Sequence, residues 1–122
     1  MKTILVVDDS HIIRNIVKNV FSDMKIPCSY LEAGNGKKAF HLLETNEVNL
    51  VFLDWNMPEM DGMEFLKKVR AMPNYKSLPI FMVTSEAAKY NVIEALDNGA
   101  DDYIVKPINE KIFREKVLRI VF

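Results

Sequence analysis

The sequence predicts an α/β fold, a five-stranded parallel sheet covered by helices on both faces. Three observations predict it. Short apolar runs alternate along the chain with longer stretches whose apolar residues recur at three- and four-residue spacing. The short runs are continuous, as in strands buried on both faces of a parallel sheet. Most of them stop abruptly at an acid, a hydroxyl or a lysine, and parallel strands all end on one edge of their sheet.

Ile4 to Val7 is the first run, closed by Asp8-Asp9. Ser10 can cap the helix that follows. Ile12, Ile13, Ile16, Val17, Val20, Phe21 and Met24 give that helix its apolar stripe. Pro27 ends it, and Cys28 to Leu31 forms a second strand. Asn35-Gly36 marks a turn. Ala39, Phe40, Leu42 and Leu43 then give a second helix one apolar face.

Leu50 to Leu53 is the third strand, and Asp54 follows it at once. Asp61 caps a third helix, in which Met63, Leu66 and Val69 face inward, and Pro73-Asn74 breaks the pattern. Leu78 to Val83 is the fourth strand, closed by Thr84-Ser85. Val92, Ile93 and Leu96 mark a fourth helix, and Asn98-Gly99 is a C-terminal stop signal. Tyr103 to Val105 is the fifth strand, ended by Lys106-Pro107. Asn109 caps a last helix carrying Ile112, Phe113, Val117 and Ile120. Such alternation implies right-handed crossovers between parallel strands. The flavodoxin-like order 2-1-3-4-5, a doubly wound three-layer sandwich, is the natural arrangement at this size.

A chain of 122 residues makes one domain, 1–122, with no repeat, linker or attached effector expected. Hydrophobic residues are 49%, charged residues 27% and the formal net charge is −1, so neither nucleic acid nor a membrane surface is an expected partner. No run has the length of a membrane span. The one cysteine, Cys28, cannot form an internal disulfide and reads as a buried, inert thiol. The N-terminal apolar run is too short for a secretion signal. A cytoplasmic location is expected.

The residues after the strands carry the chemistry. Strand one is followed by Asp8-Asp9, strand three by Asp54, strand four by Thr84 and strand five by Lys106, with a weaker Glu32 after strand two. Each has a plain alternative: Asp54 can simply turn the chain, Asp8-Asp9 and Thr84 can cap helices, and Lys106 can be a solvated lysine. Those alternatives must hold together at four strand ends. Three converging carboxylates repel one another, and a hard divalent cation such as Mg²⁺ offsets their charge well. A cation, an ammonium and a hydroxyl around one acid make a receptor for a phosphoryl group, and a carboxylate can be its nucleophile.

With these residues in place, the sequence resembles the receiver domains of two-component response regulators, and among them the stand-alone chemotaxis receivers. The resemblance spans essentially the whole chain. It is carried by Val6-Val7-Asp8-Asp9, by Asp54-Trp55-Asn56-Met57-Pro58 with Asp61-Gly62, by Val83-Thr84-Ser85-Glu86, and by Gly99-Ala100 followed by Tyr103 and Lys106-Pro107. It implies that Asp54 is the phosphoacceptor. Asp9, Asp54 and the backbone carbonyl of Asn56 would bind Mg²⁺, with Asp8 acting through water. Thr84 and Lys106 would contact the phosphoryl group, and the Lys106-Pro107 bond would be cis. Tyr103 would be the aromatic switch, and Asn56 and Glu86 would tune hydrolysis. Ala87, Lys89, Val92, Tyr103, Val105 and Lys116 match partner-binding positions of chemotaxis receivers. Ile108 replaces a larger aromatic there, and Tyr90 adds one.

The function implied is a switch that takes its phosphoryl group from a histidine kinase and then binds a target, such as the flagellar motor switch, with a phosphatase as a further partner. Its only catalysis would be its own phosphorylation and dephosphorylation. A phosphorelay intermediate or a kinase regulator would use the same chemistry. An aspartate-nucleophile phosphohydrolase usually carries a second acid two residues after the nucleophile, where this chain has Asn56. A flavin module would need a phosphate loop where Asp8-Asp9 stands. His11 and His41 read as helix-surface residues, and Trp55 as a half-exposed reporter beside Asp54.

Overall fold

The computed structural model describes residues 2–55, 57, 60–85 and 89–120, with the backbone alone described at 89–91 and 120. In chain order the elements are β1 (Lys2–Val7), α1 (His11–Asp23), β2 (Cys28–Ala33), α2 (Gly36–Thr45), β3 (Leu50–Asp54), α3 (Gly62–Arg70), β4 (Ile80–Thr84), α4 (Lys89–Asp97), β5 (Asp102–Val105) and α5 (Glu110–Ile120). A single 3₁₀ turn, Pro73–Tyr75, lies between α3 and β4. Every strand pairing is parallel, and the order is β2-β1-β3-β4-β5. Both the architecture and the strand order agree with the sequence expectation.

Side chains alternate across each strand, so each apolar run feeds two cores. Leu5, Val7, Val51, Leu53, Ile80 and Met82 point to one face and pack with Ala39 and Leu43 of α2, Phe65 and Leu66 of α3 and Ala95 of α4. Ile4, Val6, Leu50, Phe52, Phe81 and Val83 point to the other, against Val17, Val20 and Phe21 of α1 and Phe113 and Val117 of α5. Phe52 is the hub of the second core. Its ring stacks on Phe113 at 5.1 Å and meets the Phe81 and Phe21 rings edge-on at 5.4 and 5.9 Å.

The helix starts are built by side chains that take orphan amide protons. Ser10 Oγ accepts from Ile13 N at 3.4 Å, Asp61 Oδ1 from Glu64 N at 2.9 Å, and Asn109 Oδ1 from Ile112 N at 3.1 Å. Asn35 does the same for Lys38 N at 2.8 Å, so Asn35-Gly36 opens α2 rather than forming a free-standing turn. Gly99 ends the segment after α4 with φ +106, a conformation that favours glycine.

Periodicity overstated the buried stripes at several points. Ile12 is 71% exposed, and Ile93, Leu96 and Ile112 are also exposed. Consecutive helical positions are roughly 100° apart, so a neighbour of a buried residue can leave the core. Among the described side chains of α4, the small Ala95 is the buried position instead. The Ile120 side chain lies outside the described residues. Strand bounds differ by one or two residues: β2 runs on to Ala33, β3 includes Asp54 and β4 starts at Ile80.

Candidate functional site

The parallel register brings four strand ends to one edge. The β1–β3 ladder closes at Val7 and Leu53, the β3–β4 ladder at Asp54 and Val83, and the β4–β5 ladder at Thr84 and Val105. Asp8, Asp54, Thr84 and Lys106 therefore meet along one rim. Asp8, Asp54 and Thr84 are buried, at 1%, 5% and 4% exposure, while Asp9 is exposed.

Asp8, Asp9 and Asp54 form the acidic cluster. One carboxylate oxygen from each lies within 4.8 Å of the other two. Lys106 reaches into it: Nζ donates to Asp54 Oδ1 at 3.2 Å and stands 3.1 Å from Asp8 Oδ2. Burial pulls the Lys106 pKa down, but the Asp8 and Asp54 carboxylates outweigh that and hold the ammonium above its ordinary value. Lys106 N also donates to the Thr84 carbonyl at 2.7 Å, which fixes the end of β5 to the end of β4. The Lys106-Pro107 peptide is cis, as the resemblance implies.

Asp8 is anchored at three of its polar atoms. Its N–H donates to Ala33 O at 2.9 Å, its carbonyl accepts from Arg14 Nη1 at 2.6 Å, and its Oδ1 accepts from Ser10 N at 2.8 Å. Its Oδ2 is buried and stands 3.1 Å from Lys106 Nζ in an ion pair, with no other partner among the described residues. An oxygen-only donor set of three carboxylates, with one ammonium to offset part of their charge, fits a hard divalent cation, Mg²⁺ or Mn²⁺.

Glu32 does not join this cluster. It lies inside β2, and its carboxylate pairs with Arg14 at 3.1 Å and Lys18 at 3.3 Å on α1. Burial pushes the Glu32 carboxyl up, but Lys18 and Arg14 outweigh it and leave it below the ordinary range. Sequence reading passed over Arg14. The signal was present as a basic residue one turn into α1, facing an acid near the end of the neighbouring strand. Histidine 11 is exposed, with Nδ1 3.2 Å from Arg14 Nη2, and is not part of the cluster.

On the α4-β5-α5 side, Val92, Tyr103, Val105 and Lys116 are all half-buried. Lys116 Nζ sits 3.8 Å from the Tyr103 ring centroid, bonds the Tyr103 carbonyl and pairs with Asp102 Oδ1 at 3.3 Å. Tyr103, Val105, Pro107, Ile112 and Lys116 help line a cavity of about 410 Å³. Asn56, Glu86 and Ala87 lie outside the described residues, and Lys89 is described by its backbone alone. No described helix is long and apolar enough to cross a membrane.

Comparison with known proteins agrees with this geometry. A family profile for the response regulator receiver domain matches residues 4–118. A chemotaxis protein CheY homolog of Campylobacter jejuni is 47% identical over 115 residues, covering 93% of this chain and 88% of that protein. The structure of the chemotaxis response regulator CheY4 of Vibrio cholerae superposes with a TM-score of 0.88 at 32% identity, covering 98% of each chain. The Mn(2+)-bound form of response regulator Rcp1 superposes with a TM-score of 0.84 at 27% identity, covering 98% of this chain and 91% of that one.

Proposed function

The chain belongs to the response regulator receiver domain family, and from that premise we propose that it is a stand-alone response regulator switched by phosphorylation of Asp54. The observation that carries this reading is the placement of Lys106 Nζ, 3.2 Å from Asp54 Oδ1 and 3.1 Å from Asp8 Oδ2, beside a three-acid cluster. A fixed cation between two buried carboxylates is suited to receiving the oxygens of a third anionic group.

In this reading an Asp54 oxygen attacks the phosphorus of a kinase phosphohistidine. An O–P bond forms as the N–P bond breaks, and the imidazole nitrogen keeps the electron pair. Lys106 shifts its ion pair onto a phosphoryl oxygen, and the Thr84 hydroxyl donates to another. A divalent cation held by Asp9, Asp54 and the Asn56 carbonyl, with Asp8 through water, would neutralise charge on the transferred group. The Mn(2+)-bound relative and the gathering of the Asp8, Asp9 and Asp54 carboxylates within 4.8 Å of one another support that assignment. Water attack on phosphorus later returns the Asp54 carboxylate and free phosphate, at a rate tuned by Asn56 and Glu86.

The output follows from a small bias on a two-state surface. Drawing Thr84 toward the phosphoryl group frees space for the Tyr103 ring and alters the α4-β5-α5 face. That face, with Ala87, Lys89, Val92, Tyr103, Val105 and Lys116, then binds a target protein, for which the flagellar motor switch is our choice. The chemotaxis relatives favour it over a phosphorelay partner.

The test is phosphoryl transfer from a labelled histidine kinase. The native protein should take up hydroxylamine-labile phosphate in Mg²⁺ and take up none in a chelator, and Asp54→Asn should take up none in either. Normal labelling of Asp54→Asn would move the acceptor elsewhere. Protein loaded with beryllofluoride should retain a motor switch protein in a pull-down from its own cell extract. Recovery of a histidine phosphotransfer protein instead would make it a relay.

A further inference from the structure

Arg14 ties the acidic rim to the neighbouring strand. The β1–β2 ladder ends at Val7 and Ala33, so the sheet has no donor for the next carbonyl, that of Asp8. Arg14 supplies it, with Nη1 donating at 2.6 Å. The same guanidinium donates from Nε to Glu32 Oε1 at 3.1 Å, and Lys18 holds the other Glu32 oxygen at 3.3 Å. A guanidinium is planar and its donors are fixed relative to one another. Glu32 on one side therefore sets the direction of Nη1 on the other. Ser10 and Ala33 anchor the Asp8 Oδ1 and N–H, and Oδ2 pairs with Lys106 Nζ at 3.1 Å.

The geometry points to Arg14 as a positioning residue for the divalent cation: acting through the Asp8 carbonyl and braced by Glu32, it holds the Asp8 carboxylate in place beside Asp9 and Asp54. The inference rests on the reading above that this cluster binds Mg²⁺. It has a sign that a simple charge effect lacks. Arg14 is a cation near a cation site, so deleting its charge should tighten metal binding if Coulomb repulsion were its whole influence. Loss of positioning weakens binding instead.

The experiment compares the full-length native protein with Arg14→Gln, Arg14→Lys and Glu32→Gln. Mg²⁺ dissociation constants are read from Trp55 fluorescence, and Mn²⁺ constants from the free-ion paramagnetic signal. Circular dichroism in chelator establishes that each variant is folded. Arg14→Gln should weaken both metals by about tenfold, the usual consequence of losing a group that orients a metal ligand. Arg14→Lys keeps the charge but cannot span Asp8 and Glu32, so it should not restore native affinity. Glu32→Gln leaves Arg14 in place and should weaken binding to a smaller degree; it also serves as the test if Arg14→Gln does not fold. Tighter or unchanged metal binding in Arg14→Gln, or full rescue by Arg14→Lys, would overturn the inference alone. A native protein that binds neither metal would overturn the site reading along with it.

Discussion

Single atoms decide how the Asp54 end of β3 is held. A Cβ placed on Gly62 would lie 2.3 Å from the Asp54 carbonyl oxygen and 3.0 Å from Trp55 Cα, and both neighbours are backbone. Gly62 N also donates to Trp55 O at 3.0 Å, closing the loop that returns from β3 to α3. Gly62→Ala must push the Asp54 backbone aside or open that loop. It should cost about 1–3 kcal/mol of stability, as overpacking does, and should weaken Mg²⁺ binding as Asp54 is displaced. Chemical denaturation and a metal titration on the same sample check both effects. Gly36 plays a similar part across the loop, where a Cβ would come within 2.6 Å of the Met60 carbonyl oxygen.

Among the elements, α1 shows how local chemistry shapes an end. Its C-terminus leaves through Lys25 at φ 58, with Ile26 N donating to Phe21 O at 3.3 Å. Left-handed backbone at a residue with a Cβ costs roughly 1 kcal/mol. Lys25→Gly should therefore raise the thermal midpoint, by less than that full amount because glycine also loosens the unfolded chain. The α1–β2 junction supplies a pH dependence. The Glu32 pKa is lower folded than unfolded, so its contribution is complete above the ordinary carboxylate value of 4.5 and is lost as pH falls through the folded value. Urea midpoints of the native protein and Glu32→Gln should differ at pH 7 and converge as the pH falls well below 4.5. The difference should be small, about 1 kcal/mol or less, because the pair is partly solvated. Arg70 makes a comparable tie elsewhere, from α3 to Gly99 O and to Asp101, whose Oδ2 also accepts from Ile80 N at 2.8 Å.

Over the whole molecule, the acidic rim and the two cores pull against each other. The cores bury five phenylalanines almost completely, while the rim collects three carboxylates, two of them paired with Lys106. Metal that binds only the folded form must stabilise it. Mg²⁺ should raise the native protein's stability by about 1.4 kcal/mol when its concentration is roughly ten times the dissociation constant. Asp54→Asn, which alters one of the proposed ligands, should show little of that gain. Thermal unfolding with and without chelator, at constant ionic strength, separates specific binding from general screening.

The order of elements, the parallel sheet and the strand-end residues Asp8, Asp9, Asp54, Thr84 and Lys106 were all legible in the linear chain. Apolar run length and helical spacing are local properties, and a parallel sheet delivers every strand end to one rim regardless of packing detail. Ile12, Ile93 and Ile112 were not legible, because which side of an apolar stripe is covered depends on the neighbour across the interface. The Arg14–Glu32 brace, the Asp8–Lys106 ion pair and the lack of room for a Cβ at Gly62 emerged only from the folded chain. Each depends on a distance between residues on different elements. Sequence spacing restricts such distances, but it takes the register of the sheet and the seating of α1 and α3 to set them.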